Sequence, residues 1–138
     1  DQTKKKVFSW LYNPKAKNKK LNEFLNRDKI LEKYYDSNKV HTPYGRTITV
    51  DEGKAVNYLI QSTSSDMLLS SAIDVSKQLK GKKSFVAFCI HDSIVLDVAT
   101  SEKNLITDLA KNFSRTKFGN LKFNLSIGKD FGSMRKVL

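Results

Sequence analysis

The chain has 138 residues, 39% of them hydrophobic, which is enough for one domain with a buried core. Lys and Arg number 25 against 14 Asp and Glu, and the resulting net charge of +11 favours polyanionic partners, with simple solubility as the alternative. The sequence has no apolar run of membrane-spanning length, no signal-peptide core and one cysteine, which excludes an internal disulfide. These features predict an intracellular protein without a membrane partner.

The N-terminal part predicts two helices joined by a charged linker. Val7, Phe8 and Leu11 recur at three- and four-residue spacing and predict a helix over residues 4–12. A lysine-rich linker follows at residues 15–20. A second helix is predicted over residues 21–35. The apolar side chains expected to face the core in this helix are Leu21, Phe24, Leu25, Leu31 and Tyr35.

The middle of the chain predicts a short strand and a long helix. The β-branched residues 47–50 follow a Pro-Tyr-Gly turn and predict a strand. Residues 53–79 contain no proline and carry a long apolar pattern, which predicts a single helix.

The C-terminal part predicts a hairpin, a helix and a last strand. Residues 84–90 are almost continuously apolar, as in a strand that is covered on both faces, and residues 94–98 predict its hairpin partner. A helix is predicted over residues 101–113 and a strand over residues 121–127. The element order α-α-β-α-β-β-α-β therefore indicates an α+β protein.

Three groups of residues could carry chemistry, and the first is His91-Asp92-Ser93 between the two hairpin strands. A carboxylate at the tip of a buried hairpin is held rigidly and stays accessible. It suits Mg²⁺, which takes few protein carboxylates and completes its shell with water and phosphate oxygens. A plain turn aspartate is the alternative.

The second group is Lys4, Phe8 and Tyr12, which share one face of the first helix because they are four residues apart. A cation followed by two aromatic rings can hold a triphosphate and stack on a base. An amphipathic helix with a solvated lysine is the alternative.

The third group lies on the long helix and comprises Asn57, Gln61 and Asp66. The amides of Asn57 and Gln61 face the same way and can reach the acceptors of a minor groove. A solvated polar helix face is the alternative.

Together these residues resemble the motifs of family A DNA polymerases, the DNA polymerase I type, in the same chain order. Lys4, Phe8 and Tyr12 match the spacing of that family's nucleotide-binding fingers helix, and His91-Asp92-Ser93 resembles its His-Asp-Glu motif C. Residues 57–66 are similar to its Asn-x-x-x-Gln-Gly-Thr-Ala-Ala-Asp helix. Two shorter stretches are similar to the family's Thr-x-x-Gly-Arg and closing Gly-x-x-Trp regions: Thr42-Pro43-Tyr44-Gly45-Arg46 and Ile127-Gly128-Lys129-Asp130-Phe131.

The chain also departs from the family pattern. The family's first arginine would fall one position before Asp1, which predicts a fragment, and the short link from Tyr12 to Thr42 is closer to phage-type polymerases. Residues that differ from the family pattern include Ser9, Asn13, Gly53 and Ser93.

The resemblance implies an antiparallel palm sheet with a motif C hairpin, packed by helices, and a truncated fingers helix at the N-terminus. Residues 1–40 would be a remnant of the fingers subdomain and residues 41–138 the C-terminal part of the palm.

The implied activity is template-directed addition of dNTPs to a primer 3′-hydroxyl by a two-metal mechanism. Asp92 would bind two Mg²⁺ ions together with an aspartate upstream of this chain. Lys4 would also be catalytic, because it would neutralise the charge on the phosphates. Together with Phe8 and Tyr12, it would bind the nucleotide. The residues implied to contact DNA are Arg46, Asn57, Gln61 and His91.

Because one catalytic aspartate lies upstream, the chain is predicted to be inactive alone. The predicted partners are primer–template DNA, dNTPs and the upstream polymerase segment, in cis or as a separate chain, in a bacterial or phage-infected cytoplasm. Two alternatives are a non-catalytic basic nucleic-acid-binding remnant and a segment of a single-subunit phage-type RNA polymerase. The RNA enzymes usually carry methionine where this chain has Phe8.

Overall fold

A computed structural model of the chain describes residues 2–13 and 19–138. The chain divides into two compact units, Asp1–Asp66 and Met67–Leu138. Helices and short antiparallel strands make up both units, which confirms the α+β class. No helix in the described ranges is long and apolar enough to cross a membrane.

Three helices open the first unit: α1 at Gln2–Tyr12, α2 at Lys19–Leu25 and α3 at Arg27–Tyr34. The first confirms the helix predicted for residues 4–12. Residues 15–18 of the predicted linker lie outside the described residues, and its last two lysines belong to α2.

The single helix predicted for residues 21–35 is wrong, because Asn26 divides it. Asn26 is left-handed, with φ of 38°, and its side chain caps α3 by accepting a hydrogen bond from the backbone N–H of Lys29 at 3.1 Å. Asparagine tolerates this conformation and is a preferred N-cap, so the local capping bond replaces helix continuity. Phe24 was expected to face the core and is instead 86% exposed.

A small antiparallel sheet follows, with β1 at Tyr35–Asp36, β2 at Lys39–His41 and β3 at Thr47–Thr49. The turn between β1 and β2 has two residues of positive φ, Ser37 and Asn38, as a type I′ hairpin turn requires. β3 confirms the strand predicted at residues 47–50. The pair β1–β2 was not predicted, because strands this short show no periodicity.

The long helix α4 spans Glu52–Gln78 and confirms the prediction for residues 53–79. In the first unit its side chains join two buried clusters. One contains Trp10, Leu11 and Val56, and the other contains Val40, Ala55 and Leu59.

In the second unit, β4 at Phe85–Ile90 and β5 at Ser93–Asp97 form the predicted hairpin. The expectation that the first strand is covered on both faces is wrong, since Phe88 is 48% exposed and Phe85 and Ile90 are also exposed. The core contacts of the hairpin come from one side, where Val75, Leu79 and Leu109 pack on it. The hairpin residues in this contact are Val86, Ile94 and Leu96.

The rest of the unit consists of short elements. They are a 3₁₀-helix at Thr100–Leu105, α5 at Ile106–Ser114, β6 at Arg115–Thr116, β7 at Gly119–Asn120, β8 at Ser126–Ile127, a 3₁₀-turn at Phe131–Ser133 and β9 at Arg135–Lys136. The helix predicted for residues 101–113 therefore begins as a 3₁₀-helix. The strand predicted for residues 121–127 is wrong apart from its last two residues, because β9 pairs only with Ser126 and Ile127.

Candidate functional site

Residues of α1 and α4 form a continuous polar and aromatic surface in the first unit, here named the α1–α4 strip and consisting of Lys4, Phe8, Tyr12, Gln61 and Asn57. The Lys4 ammonium lies 5.6 Å from the centre of the Phe8 ring. The Phe8 and Tyr12 rings stack with centroids 6.0 Å apart and planes 25° apart. The Gln61 amide donates hydrogen bonds to the Tyr12 hydroxyl at 3.0 Å and to Asn57 Oδ1 at 3.1 Å. The structure thus brings together five residues predicted from two separate motifs.

The opposite side of α1 holds this helix in place. The Trp10 side chain is only 2% exposed, and its indole N–H donates a hydrogen bond to Asn22 Oδ1. The Arg27 guanidinium lies 4.7 Å from the centre of the Trp10 ring and donates to the backbone carbonyls of Trp10 and Leu11. A cation that bonds these carbonyls stabilises the C-terminal turn of α1, where Tyr12 lies.

Arg46 is engaged within the protein. Its guanidinium donates to Asp66 Oδ1, and Asp66 Oδ2 accepts a second hydrogen bond from the Thr42 hydroxyl at 3.4 Å. The Thr42 oxygen in turn accepts from the backbone N–H of Arg46 at 3.1 Å. The Arg46 side chain remains 49% exposed, whereas that of Asp66 is 10% exposed. Asp66 therefore sets the direction of Arg46, which remains accessible at the surface.

The hairpin of the second unit carries the other predicted site residues at its tip. Ile90 pairs with Ser93, so His91 and Asp92 form a two-residue turn. His91 has a left-handed backbone with φ of 52°, a conformation that is uncommon for a residue with a Cβ and fits the first position of a tight hairpin turn. The Asp92 carboxylate is exposed and accepts a hydrogen bond from the Ser93 hydroxyl at 3.3 Å.

The base of the hairpin is fixed by a carboxylate that the sequence did not single out. Glu102 accepts hydrogen bonds from the backbone N–H groups of Lys83 and Ser84 at 3.1 and 2.9 Å and from the Ser84 hydroxyl at 2.6 Å. The same buried hydroxyl accepts from the backbone N–H of Ala99 at 3.0 Å. Since residue 84 precedes β4 and residue 99 follows β5, this network ties the two ends of the hairpin together.

This network predicts acid sensitivity of the second unit. The hydrogen bond from the Ser84 hydroxyl, followed by those from the two backbone N–H groups, lowers the pKa of Glu102 below its usual value of 4.5. A lowered folded-state pKa contributes stability above the unfolded-state pKa, and this stability is lost as the pH falls through the folded-state value. We therefore expect the thermal unfolding midpoint of the wild type to decrease as the pH is lowered below about 4.5. The midpoint of Glu102→Gln should decrease less steeply over the same pH range.

Thermal unfolding between about pH 3 and 6 measures this effect. Asp108→Asn is the matched control, because Asp108 is an exposed carboxylate on α5. An equal change in pH dependence for both variants would contradict the assignment to Glu102.

The described residues can supply part of a metal site. Among residues 2–13 and 19–138, no group of three or more His, Cys, Asp or Glu side chains is placed to hold a metal ion. Asp92 is one accessible carboxylate on a tight turn, which fits a single protein ligand of Mg²⁺ because this ion keeps several waters. The chemistry of the tip thus fits Mg²⁺.

The sequence pattern that defines DNA polymerase family A matches the chain over residues 2–134. The chain belongs to DNA polymerase family A. No curated protein and no solved structure matches the chain.

Membership in DNA polymerase family A relates the chain to nucleotidyltransferases that act on DNA and dNTPs. It favours the DNA enzymes over the RNA polymerase alternative. The predicted site residues fall into three places: the α1–α4 strip, the Arg46 turn and the hairpin tip with His91 and Asp92. Their roles stay predictions.

Two further residues that shape these places were not predicted as site residues: Arg27 and Glu102. Arg27 and Glu102 act through contacts 16 to 19 residues away along the chain, for which sequence spacing gives no signal. Asp66 belongs to a polar group that the sequence did identify, and its bond to Arg46 links two of the family motifs.

Proposed function

We propose that this chain supplies the nucleotide-binding helix and one metal-binding carboxylate of a template-directed DNA polymerase. The observation that carries the proposal is the α1–α4 strip, because the cation, the stacked rings and the two amides form one continuous series of contacts within a single unit. Each member of the strip suits a different part of a nucleotide paired on a template.

The strip fits the parts of a deoxynucleoside triphosphate in order. Lys4 carries a compact positive charge that can neutralise phosphate oxygens. Phe8 and Tyr12 are exposed aromatic residues, and aromatic rings can stack on any of the four bases. Gln61 and Asn57 bring amide donors that can reach minor-groove acceptors common to all base pairs. We propose that Arg46 and His91 also contact the primer–template.

We propose that Asp92 binds Mg²⁺ together with an aspartate from the upstream palm segment, in cis or on a separate chain. Its exposure at the hairpin tip supports this role, because an accessible carboxylate can share a metal ion with a second carboxylate. Two bound Mg²⁺ ions would supply Lewis acidity for the primer 3′-hydroxyl and the departing pyrophosphate.

A chain with one of the two carboxylates is expected to be inactive alone.

The residue ranges proposed for the subdomains are 1–40 for the remnant of the fingers and 41–138 for the palm. The phage-like origin and the cytoplasmic location stay predictions.

The proposal predicts that Lys4→Ala weakens the binding of a Mg²⁺–dNTP in the presence of primer–template by about tenfold, which corresponds to about 1.4 kcal/mol. The physical reason is the loss of one charge-assisted contact to phosphate. Lys5→Ala is the matched control, because Lys5 is exposed on the same helix and about 100° away from Lys4 around its axis.

Equilibrium displacement of a fluorescent dNTP by the unlabelled nucleotide measures this affinity. The control should change it by less than about twofold, since only diffuse charge is lost. Equal losses for the two variants would indicate general charge attraction and contradict nucleotide binding by the strip.

A further inference from the structure

Gln61 uses both of its amide hydrogens inside the protein. A glutamine side chain carries two N–H donors on one nitrogen. In the α1–α4 strip, that nitrogen donates to the Tyr12 hydroxyl at 3.0 Å and to Asn57 Oδ1 at 3.1 Å. A Gln61 side chain in this arrangement has no donor left for a minor-groove acceptor.

The two hydrogen bonds differ in how readily they can be exchanged. Asn57 is four residues before Gln61 on α4, so helix geometry keeps these side chains adjacent. Tyr12 belongs to α1, is 49 residues away along the chain and has a 56% exposed side chain. The Tyr12 hydroxyl can replace its hydrogen bond to Gln61 by one to water, so it is not left unpaired. The Tyr12–Gln61 hydrogen bond can therefore break at a lower free-energy cost than the Asn57–Gln61 bond.

We propose that the Tyr12–Gln61 hydrogen bond is an interlock between nucleotide binding and DNA binding. When Gln61 donates to the duplex, its hydrogen bond to the Tyr12 hydroxyl is broken. When Gln61 donates to Tyr12, that donor is not available to the duplex. This inference rests on the proposed function, because it takes Gln61 as a DNA contact and Tyr12 as a nucleotide contact. By linkage, whatever holds Tyr12 away from Gln61 strengthens DNA binding, and DNA binding frees Tyr12 to the same extent.

If the interlock exists, removing the Tyr12 hydroxyl should strengthen DNA binding, whereas the simple loss of a DNA contact would weaken it. Tyr12→Phe keeps the ring stack and removes only the hydroxyl, so it frees one donor of Gln61. We expect it to tighten binding of a primer–template duplex, without nucleotide, by about threefold, as one modest exchangeable hydrogen bond allows. Gln61→Ala should weaken binding by about fivefold, and the double variant should bind like Gln61→Ala alone.

Fluorescence anisotropy of a labelled primer–template at one fixed salt concentration measures these affinities, because the dependence on salt is steep. Tyr58→Phe is the matched control. Tyr58 is an exposed tyrosine on α4, and its hydroxyl takes no part in the Gln61 hydrogen bonds. This control should leave the affinity unchanged. Because Tyr12 and Gln61 are exposed, we expect their variants to remain folded, and far-UV circular dichroism of each variant checks this.

The outcomes separate the interlock from the function on which it rests. If Gln61→Ala leaves DNA affinity unchanged, Gln61 is not a DNA contact, and both that part of the proposed function and the interlock are wrong. If Gln61→Ala weakens binding while Tyr12→Phe does not tighten it, the interlock alone is wrong. A gain from Tyr12→Phe that persists in the Gln61→Ala background also overturns the interlock, because such a gain does not pass through Gln61.

Discussion

Asp92→Asn is expected to reduce primer extension by about 10³-fold when the chain is complemented by the polymerase segment that carries the other catalytic aspartate. The substitution preserves the size of the side chain and removes the charge that holds Mg²⁺ at the hairpin tip. Metal stabilisation of charge in the transition state is worth several kcal/mol, and about 4 kcal/mol corresponds to this factor. The affinity for primer–template should change by less than about twofold, because Asp92 is not among the residues proposed to contact DNA and the substitution leaves those side chains in place.

Asp97→Asn is the matched control for this substitution. Asp97 is an exposed aspartate at the other end of β5, opposite Phe85, so the variant removes the same charge from the same hairpin. Its extension rate should stay within about twofold of the wild type. Two results would contradict the role of Asp92: equal losses in the two variants, or full activity of Asp92→Asn at saturating Mg²⁺.

Trp10→Ala is expected to lower the free energy of unfolding of the first unit by about 3–5 kcal/mol. Trp10 is almost completely buried, packs with Leu11 and Val56, and takes part in the Asn22 and Arg27 contacts that hold α1. The substitution removes apolar burial, leaves a cavity and strips the guanidinium of its aromatic partner. Because domains of this size are stabilised by only about 5–15 kcal/mol, a loss of this magnitude removes a large part of the stability of the unit.

Chemical denaturation followed by far-UV circular dichroism measures this loss without depending on tryptophan fluorescence. Phe24→Ala is the control, since Phe24 is an aromatic residue of the same unit whose side chain lies almost wholly in solvent. Its effect should stay within about 0.5 kcal/mol. Similar losses for the two variants would show that the Trp10 cluster is not the core of this unit.

The helices were predictable wherever a periodic apolar pattern extends over several turns. The α4 prediction succeeded because its apolar side chains, among them Val56, Leu59 and Val75, recur over residues 53–79 and no proline interrupts them. The α2–α3 region failed, because a single left-handed Asn26 with a local capping bond outweighs a favourable pattern on both sides of it. Periodicity reports burial over a turn or more and is insensitive to one backbone dihedral.

The hairpin shows what an apolar run does and does not predict. Strand formation at β4 followed from the sequence, but its burial did not, since a continuous apolar run is the same whether one face or both faces are covered. Which faces are covered depends on the elements packed against the strand. Here those contacts come from Val75, Leu79 and Leu109, on one side of the hairpin.

The sequence predicted which residues share a face in the candidate site but did not predict the tertiary contacts that hold them in place. Lys4, Phe8 and Tyr12 were placed on one face by helical spacing, and the structure adds that Gln61 contacts Tyr12 directly. Arg27 and Glu102 could not be anticipated in the same way, because their contacts join elements that are distant in sequence. Spacing rules describe neighbours on one element, whereas such supports depend on tertiary packing.

Primer extension by the wild-type chain tests the central claim most directly. The assay uses a primer–template, Mg²⁺ and dNTPs, first with the chain alone and then with the upstream palm segment that carries the second aspartate. We expect no extension by the chain alone and template-directed extension by the mixture. Extension by the chain alone would contradict the shared metal site, and intact DNA binding without extension in the mixture would indicate a non-catalytic binding remnant.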